Sequence, residues 1–206
     1  MPLPALPARQ LLRLALLLVA AAPAAAATCP AGEQEVCLGS CFCAPALGGE
    51  LGTLYEDVGR MASGGLASWI SQTRASVPDS ALRPIPLHIR VQLEPWYDMR
   101  VLESVRYKID DGRELNAANT VLQNPDVHAV TLIDLIVFRT AAQAENDVAL
   151  WAHELKHVEQ YLQWGVDGFA ARYSRDYEAV EAPAYAIQRE VARALKLPAS
   201  QPAHAH

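Results

Sequence analysis

The chemistry-bearing residues of this chain cluster in one five-residue run, His153-Glu154-Leu155-Lys156-His157, which has the form HExxH. On a helix, residues four apart lie about 40° apart around the axis, so both imidazoles can serve one metal ion. The glutamate beside the first histidine can then reach a water on that metal and act as general base. The surrounding stretch, Asn146-Asp147 to Gly165, has the periodicity of an amphipathic helix. Trp151, Leu155, Val158 and Leu162 fall on one stripe and are expected to face the core. His153, His157, Gln160 and Trp164 fall on the opposite side, which also carries Leu150. Two large apolar residues there suit a cleft better than a solvated face.

A catalytic zinc needs three protein ligands and an open position. No histidine follows His157 at the five- or six-residue spacing of the longer HExxHxxGxxH pattern. Glu178 and Glu181 are the candidates instead, in the segment YEAVEAPAYAIQ. Pro183 belongs in a helix's first turn or at a kink, which places Glu181 at the N-terminal end of the last helix. A carboxylate there can be fixed towards the metal from a second helix. Either acid would also suit a first turn simply by complementing the helix dipole. Glu181 is the preferred ligand and Glu178 the alternative.

The rest of the chain must position these groups. Residues 1–27 read as an export signal: Arg9 and Arg13 without acids, then the apolar run Leu11–Ala22, then Ala25-Ala26-Ala27 before Thr28. The run is too short for a membrane span, and no other segment approaches that length. Losing Arg9 and Arg13 takes the formal charge from −6 to −8, and no basic stripe offsets it, which argues against a nucleic-acid partner. Cys29, Cys37, Cys41 and Cys43 make residues 28–50 a cysteine-rich leader. Their even number and exported setting predict two disulfides, with the pairing open, rather than a zinc knuckle, which would want C-x-x-C pairs.

Residues 51–197 are expected to form the domain. Leu54, Val58, Met61, Leu66, Trp69 and Ile70 have helical spacing, with Gly64-Gly65 able to split the helix. Leu87–Leu93 alternates like a strand, Val101–Tyr107 reads as helical, and Asp110-Asp111-Gly112 as a turn. Ala129–Phe138 (AVTLIDLIVF) is the clearest strand, followed by a loop over Arg139–Glu145 and then the HELKH helix. A strand edge beside that helix could bind an extended peptide by backbone hydrogen bonds. Residues 198–206 read as a disordered tail, with His204 and His206 exposed.

The segments RPIPLHIRVQLEPWYD, VRYKIDDG, AVTLIDLIVF, LWAHELKHVEQY and WGVDGFAARYSRDYEAVEAPAYAIQ together resemble the metallopeptidase-like core domain family encoded near extracellular contractile injection systems. The resemblance runs from about Pro84 to Gln188 and implies a gluzincin-like site. His153 and His157 match the motif histidines, Glu154 the catalytic acid, and Glu181 the glutamate of an ExxA element. Tyr185 stands where many related zincins carry an aspartate.

The expected fold is therefore α+β and zincin-like, a small sheet with the HExxH helix and a second ligand-bearing helix. The expected function is that of an exported, periplasmic or secreted, zinc-dependent peptidase acting on peptide or protein substrates. Zn2+ would be held by His153, His157 and Glu181, with Glu154 as base and Tyr161, Tyr177 or Tyr185 as candidate oxyanion donors. The alternative is a zincin-shaped module that binds zinc without turnover and serves as a secretion-associated adaptor.

Overall fold

The protein is seen in a computed structural model that describes residues 29–31, 33–38, 40–45, 50–112, 114–115, 118 and 128–197, mostly as backbone alone over 34–55. The expected signal segment 1–27 and tail 198–206, with His204 and His206, lie outside the described residues. The leader forms an antiparallel hairpin of β1 (Glu33–Leu38) and β2 (Ser40–Pro45). A disulfide joins Cys29 to Cys43, and the strand register sets Cys37 opposite Cys41.

The domain is α+β. Helix α1 (Glu50–Ser76) leads to β3 (Arg83–Pro84), α2 (Leu87–Leu93), α3 (Met99–Ser104) and β4 (Arg106–Ile109). After these come β5 (Ala129–Leu132), β6 (Leu135–Phe138), α4 (Ala141–Asn146), α5 (Val148–Arg175) and α6 (Tyr177–Ala194). The sheet order is β3-β4-β6-β5, with β4 parallel to β6 and the other two pairings antiparallel. Both sheet faces are covered, which is why β5 and β6 read as a near-continuous apolar run. Tyr107, Ile136 and Phe138 pack on α2, α3 and the first half of α5. Val130, Leu132, Leu135 and Val137 pack with Ile70 of α1. Trp151 anchors α5 at the centre, 4.6 Å from the Phe138 ring and edge-on to Tyr107, with its indole N–H donating to the Ala144 carbonyl at 2.7 Å.

Several elements differ from the sequence expectation, each for a local reason. Gly64-Gly65 does not split α1, because nothing packs against either glycine and the cost is only helix propensity, about 1 kcal/mol each. The expected apolar face holds only from Leu66 onward, since Val58 and Met61 are exposed and the side chain of Leu54 lies outside the described residues. Leu87–Leu93 is a helix, not a strand. Ile89 and Leu93, the two buried positions, are four apart, a step that alternation and a helical face share. The helix over Val101–Tyr107 ends at Ser104, and Tyr107 belongs to β4. Arg139–Glu145 is not a loop but leads into α4, started by a capping box between Thr140 and Gln143.

The single strand expected over Ala129–Phe138 is a two-residue hairpin turning at Ile133-Asp134. Ile133 has φ 65°, a conformation that a β-branched residue adopts only under strain. The turn is held by its neighbours. The Asp134 carboxylate accepts a forked pair of hydrogen bonds from Arg74 of α1, at 2.5 and 2.9 Å, and its carbonyl accepts the Arg106 N–H at 2.8 Å. Charge-assisted bonds of this kind are worth about 1.5–3 kcal/mol. Asp134→Ala is therefore expected to lower the urea-unfolding free energy by about that amount. Adding Arg74→Ala to it should cost little more, whereas fully additive losses would show that the fork does not clamp the turn.

Candidate metal centre

Helix α5 starts where expected, with the Asp147 side chain accepting the Leu150 N–H at 2.9 Å, and its helical geometry breaks at Gly165, φ 69°. Trp151, Leu155 and Val158 are buried as the stripe predicts, but Leu162 is 46% exposed. From Trp151 to Leu162 the helix climbs about 16 Å. The buried face has by then moved to Tyr161 and Phe169, which pack in the second core cluster, and Leu162 falls beside it. The histidine side of α5 packs against α6 rather than opening as a cleft. His153, Glu154 and His157 are only 7%, 4% and 7% exposed.

Asp176 ends α5 and caps α6, accepting the Ala179 N–H at 3.1 Å, so the chain reverses at once and α6 returns alongside α5. Contrary to expectation, Pro183 lies inside α6, and Glu181 sits a turn beyond the helix start. The proline is tolerated because it and Ala179, whose carbonyl it leaves without a helical partner, are both on the exposed face. Glu178 occupies the first turn and is exposed, away from the histidines.

The structure brings His153, His157 and Glu181 together. The two Nε2 atoms are 3.2 Å apart, and Glu181 Oε2 lies 3.2 Å from His153 Nε2 and 3.5 Å from His157 Nε2. Tetrahedral zinc with ligands at about 2.0–2.1 Å requires ligand atoms roughly 3.3 Å apart, so this triangle fits one face of such a site. The donor set, two imidazoles and a carboxylate, suits zinc as well. Burial alone would pull His157 down, but the Glu181 and Glu154 charges, with hydrogen bonds accepted by Glu181 and Gln160, raise it to about 9. Burial alone would likewise raise Glu181, yet the two histidines hold it well below the usual carboxylate range.

Glu154 lies beside the triangle without joining it. Its Oε2 accepts the Thr131 hydroxyl at 2.6 Å. Thr131 belongs to the edge strand β5 and shares a face with Ile136 and Phe138, so the only hydroxyl in AVTLIDLIVF points at the motif glutamate. The backbone of β5 faces two ways. His128 bonds inward to Arg139, and the antiparallel alternation then turns the N–H and C=O of Ala129 and Thr131 away from β6, to the side where no further strand lies among the described residues. The Tyr161 hydroxyl donates weakly to that Thr131 carbonyl, at 3.4 Å.

Four contributors were not assigned from sequence. Gln160 Oε1 lies 2.9 Å from His157 Nδ1, and Gln188 Oε1 lies 3.1 Å from His153 Nδ1. Gln160 follows His157 by three residues and Gln188 follows Glu181 by seven, so helical phase alone places each on the ligand face. Thr131 was signalled by its polarity in an apolar strand. Tyr173, whose hydroxyl is pushed well up by burial and the Glu181 charge, carried no sequence signal. Of the tyrosines considered as oxyanion donors, Tyr185 packs edge-on to the His153 ring at 4.6 Å, Tyr161 is turned to β5, and Tyr177 is exposed. A second acidic group, Asp110, Asp111 and Glu114, has its own cation, since Lys108 Nζ lies 2.9 Å from Glu114 and 3.8 Å from Asp111.

Residues 84–165 match the family model of the eCIS core domain, which associates this segment with extracellular contractile injection systems. The matched segment holds α2 to β6, α4 and α5 as far as its break, including His153, Glu154 and His157, and it stops short of Glu181. No curated protein and no solved structure matches the chain. Among the described residues, no helix is long and apolar enough to cross a membrane.

Proposed function

We propose that the protein is an exported, zincin-like, zinc-dependent peptidase whose ion is held by His153, His157 and Glu181. The observation that carries the reading is the triangle of ligand atoms, with separations of 3.2, 3.2 and 3.5 Å and an uncoordinated glutamate beside it. Zinc bound there supplies Lewis-acid polarisation and an acidified water. Glu154 takes the proton of the attacking water and returns it to the leaving amine. Thr131 holds Glu154 Oε2, leaving the second carboxylate oxygen to carry that proton. The backbone groups of Ala129 and Thr131 that face away from β6 are buried, so strand pairing with an extended peptide would require the Tyr161 hydroxyl and its surroundings to yield.

The burial of Glu154 favours a second reading, a zinc-binding module without turnover that serves as a secretion-associated adaptor. Metal binding alone, however, gives no reason for a glutamate at 154. The test is metal analysis together with cleavage of a diverse peptide library. A peptidase is expected to carry about one zinc per chain and to lose cleavage on chelation, regaining it with added zinc. Stoichiometric zinc without cleavage of any peptide would favour the module, and absence of zinc would overturn both readings.

A further inference from the structure

Gln160 makes two hydrogen bonds whose polarities fix one another. Its Nε2 donates to the Val180 carbonyl at 2.8 Å, and a carbonyl can only accept. The amide oxygen must therefore be the end facing His157 Nδ1 at 2.9 Å, so Nδ1 carries the proton. Gln188 Oε1 faces His153 Nδ1 at 3.1 Å, from the α6 face that also bears Glu181. Both imidazoles are thus held by Nδ1, with both Nε2 atoms turned to the Glu181 carboxylate. All four side chains are buried. Neither contact involves an acid, and the position after Ala184 is Tyr185.

We infer that Gln160 and Gln188 are the positioning residues of the metal centre, fixing the ring orientation and tautomer of its two histidines through neutral amides. The inference rests on the zinc reading above. It makes the outer contacts of the two histidines charge-neutral, so that of the three ligands only Glu181 brings a negative charge. Beyond its histidine, Gln160 also ties α5 to α6 through Val180.

The test is zinc affinity, measured by competition with a chromophoric chelator, alongside urea unfolding of the metal-free protein. Gln188→Leu and Gln160→Leu should each weaken zinc by about 10–100-fold, the usual cost of losing such a partner. Gln188→Glu keeps an acceptor for the His153 N–H and adds charge, so it should bind zinc at least as tightly as the wild type. Gln160→Glu separates the two bonds. It keeps the acceptor towards His157 and loses the donor towards Val180, so zinc binding should hold while metal-free stability falls. This pair of Glu variants keeps the test decisive if a leucine variant fails to fold. Wild-type zinc affinity in both leucine variants would overturn the inference and leave the zinc reading standing. Absence of zinc binding by the wild type would overturn the reading itself, and the inference with it.

Discussion

Glu154→Gln is expected to leave about one zinc on each chain while lowering peptide hydrolysis by about two to four orders of magnitude, the usual effect of removing a general base. The carboxylate stands outside the ligand triangle, so the metal does not depend on it. The amide has nearly the same shape, and its oxygen can still accept the Thr131 hydroxyl that now reaches Glu154 Oε2 at 2.6 Å. What it cannot do is take a proton from water. The comparison is library cleavage by wild type and variant at equal zinc occupancy. Cleavage that survives the substitution would mean a different mechanism or a contaminant. Silence from both proteins would favour the adaptor.

His157→Ala should strip the ion. Zinc sites of about 10–16 kcal/mol shared among four ligands put roughly 3 kcal/mol on each, more than a hundredfold in affinity. Glu181→Ala should behave alike, whereas Glu178→Ala, in the exposed first turn of α6, should retain wild-type zinc. The wild type should show a matching pH dependence. In the metal-free protein His157 keeps its proton up to about 9, so below that pH zinc must displace a proton. Zinc affinity should therefore rise by up to tenfold per pH unit towards about 9 and then level off. Metal-free stability should move oppositely. The raised His157 stabilises the fold fully below its ordinary value of 6.5, and that contribution is lost as pH rises through about 9. Unchanged zinc content in His157→Ala would place the metal elsewhere.

The sequence was most legible where one helix carried the information. HELKH sits on α5 with both histidines opposite Trp151, Leu155 and Val158, and the helix breaks at Gly165, because a 3.6-residue period and a glycine are local signals. Glu181, preferred as third ligand for its chemistry, does meet the two histidines, although it sits one turn further into α6 than Pro183 suggested: an exposed face excuses a proline that a buried one would not. The hairpin at Ile133-Asp134 was hidden because its turn contains no glycine or asparagine. Arg74, sixty positions away in the chain, holds it instead, and such support leaves no trace in the turn's own residues. The tie between Thr131 and Glu154 was out of reach for the same reason, since it depends on which strand face meets which helix.

The rapid reversal at Asp176 has a mechanical consequence. His157 and Glu181 lie on two helices joined by a segment that contains the Gly165 break and the Asp176 cap, the two places where continuous helical geometry is interrupted. An ion shared between them would cross-link the chain across both interruptions, closing a loop much as a disulfide does. A closure of that length removes unfolded-chain entropy worth roughly 3–4 kcal/mol. The C-terminal helix, already packed through Val180, Ala184 and Val191, would then be held to α5 by the ion as well, and chelation is expected to lower the hydrogen-exchange protection of its N-terminal half first.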